Sequence, residues 1–132
     1  MAQRLVDAVV ARYPDLLVVS LHVTPPGSSE NVIVASNIGR IGKRADADDN
    51  VVLQSGSTHA KVNRNGDRFE VELVLHDAAQ RPIGALAIVV AYHAADDRRQ
   101  LVERAERIRD ELAAQIPGVA ALMAPATEPV RK

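Results

Sequence analysis

The chain contains no cysteine and no tryptophan, and its only aromatic residues are one phenylalanine and two tyrosines among 132 residues. The first absence excludes disulfides, thiolate metal sites, iron–sulfur clusters and cysteine nucleophiles, and leaves the redox compartment open. The second excludes an array of rings on which single-stranded bases could stack. An excess of either charge is also lacking. Lys and Arg total 16 against 17 Asp and Glu, a net charge of −1, so there is no overall basic footprint for nucleic acid or anionic lipid. No apolar run approaches the roughly 18–20 residues that span a bilayer, and no apolar segment follows Met1-Ala2-Gln3-Arg4 to act as a leader. Neither nucleic-acid binding nor membrane insertion is expected of this chain.

What is present is a hydrophobic fraction of 47%, supplied mostly by Ala and Val. A single core of small side chains fits this length. Residues 1–118 read as one domain, and residues 119–132, with two prolines, as a tail that packs only in part.

The spacing of Leu5, Ala8, Val9 and Arg12/Tyr13 predicts a short amphipathic helix over 3–13, stopped by Pro14. Strands are expected near 17–24, 31–36, 58–64, 69–77 and 83–92, where β-branched and alternating residues run between turn clusters. Phe69, Val71, Leu73 and Leu75 alternate with Glu70 and Glu72, the pattern of a half-buried strand. Asn65-Gly66 predicts a hairpin, and the 83–92 strand is apolar on both faces, as a central strand would be. Gly84, Ala85 and Ala87 leave space there for close approach. A charged helix with a Leu101, Ala105, Ile108 and Leu112 stripe covers 95–116. Between Asn37 and Ser57 the periodicity fails, and only a helical turn near 46–53 is expected; long connections of this kind are often functional. The resulting fold class is α+β, a five-stranded antiparallel sheet flanked by N- and C-terminal helices.

Most chemical motifs fail on inspection. The histidines at 22, 59, 76 and 93 have no spacing that puts two on one helix face, so they read as strand histidines, although His22 interrupts an apolar strand beside Ser20. Asp46-Ala47-Asp48-Asp49 lacks the glycine and final glutamate of a calcium loop and reads as a solvated helix N-terminus. Glu70 and Glu72 share a strand face, either as an acid/base pair or, as preferred here, on an exposed surface. No nucleophile elbow surrounds any serine, and Gly39, Gly42 and Lys43 do not complete a phosphate loop. The segment SNIGRIGKR (36–44) remains. Its backbone N–H groups with Arg40, Lys43 and Arg44 can hold an anion such as a carboxylate, the alternative being an ordinary basic surface loop.

Ala35-Ser36-Asn37-Ile38-Gly39-Arg40-Ile41-Gly42-Lys43 resembles the strand and I-G-K entry to the ligand loop of Cache (PDC-type, PAS-like) sensor domains. Residues 71–90, VELVLHDAAQRPIGALAIVV, are similar to that family's closing hairpin. The resemblance implies the strand order 2-1-5-4-3, a pocket between the sheet and the 37–57 connection, and an extracytoplasmic setting if a signal segment was removed; otherwise the cytoplasm is expected. It also implies a homodimer through the N-terminal helix. On this footing the chain is expected to be a non-enzymatic, cofactor-free sensor domain that binds a small anionic metabolite beside Arg40 and Lys43. His22, Ser36 and Tyr92 are expected as supporting polar groups. The competing expectation is a dimerising interaction module of profilin or longin type that uses no ligand.

Overall fold

The structure, a computed structural model, describes residues 1–124, apart from the side chains of Ala47 and Asp48. Residues 125–132, the greater part of the expected tail, lie outside that range. The elements in chain order are α1 (Ala2–Arg12), β1 (Leu16–Val23), β2 (Val32–Ser36), α2 (Ala47–Ser55), β3 (His59–Val62), β4 (Arg68–His76), β5 (Pro82–Ala91), α3 (Arg98–Ala113) and α4 (Val119–Met123). The strands form one antiparallel sheet in the order β2-β1-β5-β4-β3, with β5 at its centre. The α+β class and the strand order are those expected.

Side-chain alternation divides the sheet into two unlike faces. Val19, Leu21 and Val23 of β1, Phe69, Val71, Leu73 and Leu75 of β4, and Leu86, Ile88 and Val90 of β5 point to one face. There they meet Leu5, Val6 and Val9 of α1 and Ala105, Ile108 and Leu112 of α3 in the main core. Arg104 of α3 closes this layer with a two-pronged bond to Asp15 at 2.7 and 2.5 Å. Because α1 spends its apolar stripe on its own sheet, a homodimer through this helix would rest on its exposed Arg4, Asp7, Ala8, Ala11 and Arg12.

The opposite face is covered only in part. Here α2 lands on Val74 and Ala85 through Val52, forming a small second cluster. In place of the single turn expected near 46–53 stands a helix of nine residues, because both of its ends are capped. The Asp46 and Asp49 side chains accept each other's backbone N–H, and Gly56 closes the far end at φ +72°.

Turns are built as their residues demand. Gly66 sits at φ +74° in the β3–β4 hairpin. Between β4 and β5 the buried Asp77 carboxylate accepts from the N–H groups of Ala79 and Arg81 and from Arg81 Nε. Burial pushes that carboxyl up, but these donors and the Arg81 charge outweigh burial and hold it below the usual carboxylate range.

Candidate functional site

The half-covered face of the sheet carries a cleft of about 270 Å³. Val18, Ser20 and His22 of β1, Ala87 and Val89 of β5, and Glu70 and Glu72 of β4 form its floor, while Ile38, Arg40, Lys43, Asp46 and Asp49 stand along its wall. The floor residues are the set whose parity turns them away from α1 and α3.

Local chemistry places the wall. Where β2 ends, Ser36 Oγ accepts the N–H of Ile38 at 2.9 Å. Asn37 then acts as a surrogate strand neighbour to β1, accepting from Val19 N–H at 2.8 Å and donating to the Leu17 carbonyl at 3.1 Å. The chain reverses through Gly39 (φ +77°), Arg40 (φ +65°) and Gly42 (φ +92°). It returns along the outer edge of β2, with Gly42 N–H donating to the Ile33 carbonyl, Ile33 N–H to the Lys43 carbonyl, and Ala45 N–H to the Asn31 carbonyl. Arg44 pairs with Glu30 at 2.5 Å to fasten the outer side. The left-handed backbone at Arg40 is uncommon for a residue with a Cβ and costs of order 1 kcal/mol. It sets Arg40 and Lys43, both exposed, on the rim of the cleft.

The cleft is electrostatically mixed, with four carboxylates and three cationic side chains, Arg40, Lys43 and Arg68, among the lining residues. His22 is buried, its Nε2 3.3 Å from Ser20 Oγ and its Nδ1 3.5 Å from Asp49 Oδ2. Burial pushes the imidazole below its ordinary value, against the pull of Asp49 and Asp46, and Lys43 adds to the lowering. For Asp49, burial pushes the carboxyl up. A hydrogen bond with the Glu72 carboxyl, the Asp46 N–H, the nearby His22 and the Asp46 side chain together outweigh that burial and leave Asp49 below the usual carboxylate range.

Of the expected site residues, the structure brings His22, Arg40 and Lys43 to one cleft. Ser36 does not join them, because its hydroxyl is spent on the turn at Ile38. Tyr92 does not either. It continues the parity of Ile88 and Val90 into the main core, where its ring stacks on Phe69 at 5.8 Å between centroids and its hydroxyl accepts from Arg98 Nε at 3.0 Å. Gly84 makes room for the β1 backbone and not for a ligand, since a Cβ there would lie 1.9 Å from the His22 carbonyl oxygen. Ala85 lies under α2, which leaves Ala87 alone of the three small residues to open the cleft.

The residues missed are acidic. Asp49, read as part of a solvated helix end, is 5% exposed. Glu70 and Glu72 do share a face, but that face is half-buried beneath the wall. Their alternation with Phe69, Val71 and Leu73 was the signal available in the sequence.

No family model matches the chain, and no curated protein does. Several solved structures resemble it. The repressor BlcR of Agobacterium tumefaciens aligns at TM-score 0.59 and 12% identity, over 89% of this chain and 68% of that one. A double mutant of the PobR transcription factor inducer-binding domain from Acinetobacter, in complex with 3-hydroxybenzoic acid, aligns at TM-score 0.54 and 13% identity, over 89% of this chain and 96% of that one. The likeness is one of fold. It overturns the Cache resemblance, for the neighbours are transcription-factor proteins and not Cache sensors. The motifs behind that resemblance have local explanations: Gly39 and Gly42 serve the reversal onto β2, Asp77 builds the β4–β5 turn, and Gly84 admits the β1 carbonyl. Such residues mark a sheet of this order whatever its lineage.

Proposed function

We propose that the chain is a non-enzymatic effector-binding domain whose ligand is a small organic acid held in the cleft, with the acid group at Arg40 and Lys43. The observation that carries this reading is the reversal over 37–45, which places two exposed cations, one at a left-handed backbone position, over a floor containing a buried imidazole. Arg40 offers a two-pronged match to a carboxylate and Lys43 a point charge. The ligand's far end meets Ser20, His22 and carboxylates, so a hydroxy acid suits the cleft better than a plain hydrocarbon acid. At about 270 Å³ the cleft lies near the lower end of ligand sites and limits the ligand to a few carbons or one ring. The compound in complex with the double-mutant PobR domain, 3-hydroxybenzoic acid, belongs to this class.

Binding is preferred to catalysis although Ser20, His22 and Asp49 follow one another as in a hydrolytic relay. Ser20 is 4% exposed, and it lies within β1, paired with Ser36 of β2 on one side and Ala87 of β5 on the other. Ladder pairing on both sides leaves no adjacent N–H groups free to hold an oxyanion.

Calorimetry with a panel of small mono- and dicarboxylic acids, including hydroxy acids and neutral amide analogues, tests the reading. One acid should bind at one site, the amides should not, and Arg40→Ala should weaken binding about tenfold. No binding by the parent, or undiminished binding by the variant, refutes it.

A further inference from the structure

Three carboxylate groups converge where the wall of the cleft meets its floor. Asp46, Asp49 and Glu72 each present a carboxylate oxygen, and these atoms lie within 4.8 Å of one another. The first two are set by the capping box of α2, whose N–H bonds leave each carboxylate with further lone pairs. Glu72 comes from β4 and brings its carboxylate beside theirs.

A separate observation points the same way. The His22 side chain is 6% exposed, and its buried Nδ1 makes no hydrogen bond. Buried polar atoms are nearly always partnered, and such an exception calls for an explanation. Nδ1 faces Asp49 Oδ2 at 3.5 Å, long for a hydrogen bond. Two donors each about 2.1 Å from one ion, at octahedral or tetrahedral angles, stand about 3.0–3.4 Å apart. The spacing is close to that of neighbouring metal ligands.

We propose that His22, Asp46, Asp49 and Glu72 bind one divalent first-row transition-metal ion, of the Mn²⁺ type, on the floor of the cleft. Three carboxylates favour an oxygen-preferring ion, while an imidazole nitrogen disfavours Mg²⁺ and Ca²⁺, which take oxygen donors. The site shares its cleft with the proposed acid but does not depend on it, because Arg40 and Lys43 are not among the donors.

The test is a titration of Mn²⁺ into the full chain, stripped with chelator and free of acids, followed by calorimetry and by loss of the free-ion EPR signal. One ion per chain should bind in the micromolar range and survive equimolar Mg²⁺ and Ca²⁺. Paramagnetic broadening of amide resonances should centre on His22, the first turn of α2 and Glu72. Glu72→Gln and His22→Gln should each weaken binding at least tenfold. The proposal is overturned by no saturable binding, by weak binding with broadening spread over exposed acids, or by unchanged affinity in both variants. If circular dichroism shows that the variants do not fold, the broadening map of the parent decides by its location. Acid binding measured separately in chelator keeps the two readings apart. A chain that takes Mn²⁺ but no acid loses only the proposed function, and the reverse loses only the metal site.

Discussion

Gly84→Ala should be among the most damaging single-methyl changes available to this chain. Gly84 lies in β5 between Val23 of β1 and Leu75 of β4. A Cβ there would stand 1.9 Å from the His22 carbonyl oxygen, 2.9 Å from its carbonyl carbon and 2.9 Å from Val23 Cγ1. Carbon–oxygen contacts settle at about 3.3 Å or more, so β1 and β5 must part locally by more than about 1 Å. Backbone cannot swing aside as a side chain can. Two or three neighbouring ladder bonds are then lost or stretched at about 1 kcal/mol each, and packing at Val23 suffers as well. Removing glycine's freedom in the unfolded chain returns about 0.5–1 kcal/mol. The net expectation is a loss of about 2–4 kcal/mol, roughly 8–15 °C in Tm for a chain of this size. Urea unfolding followed by circular dichroism should show a lower midpoint at unchanged slope. Ala87→Leu supplies the contrast, for its side chain enters the open cleft; it should change stability by less than about 1 kcal/mol and abolish acid binding. A Gly84→Ala variant within about 0.5 kcal/mol of the parent would refute the reasoning, because it would mean that β1 yields at almost no cost.

Two further outcomes follow from the site. Burial holds His22 below its ordinary value of 6.5, so the unfolded chain binds that proton more tightly. The contribution of neutral His22 to stability is full above about pH 6.5 and is lost as pH falls from there towards the folded value. His22→Gln should flatten the stability profile in that window, while the losses from Asp15 and Asp49, both held below their ordinary value of 3.8, should persist at lower pH; an unchanged slope between pH 6.5 and 5 would exclude the assignment. Val52 anchors α2 through its contact with Val74 and Ala85, so Val52→Ala should cost about 1–3 kcal/mol, felt first as local opening. Amide hydrogen exchange should accelerate across α2 and stay unchanged in α3, and uniform acceleration would contradict the local anchor.

Much of the fold was legible because its causes are local. Alternation in 69–76, the Asn65-Gly66 turn and the stripe of α3 each identify an element within a few residues of its observed ends. The 46–55 helix was less legible, since its apolar anchor among the described side chains is Val52 with the partly buried Leu53, and the rest of its turn chemistry reads as loop. Arg40 and Lys43 were singled out from the glycines beside them, and His22 from its intrusion into an apolar strand, and all three line the cleft. Tyr92 was misplaced because a polar tip on an aromatic ring gives no indication of which face it will join.

The sequence by itself determined that the chain has two alternating sets of strand residues and that β5 is apolar on both sides. Period two separates the faces of a strand but does not say which face the helices will cover. Only tertiary packing decided that. Once α1 and α3 took the face of Val19, Leu73 and Ile88, the other set, Ser20, His22, Glu70, Glu72 and Ala87, became the floor of a cleft. The meeting of Asp49 with Glu72 and His22 is decided at the same level. These residues are far apart in the chain, and they converge because Val52 docks α2 over Val74 and Ala85 while the capping box aims the first turn inward.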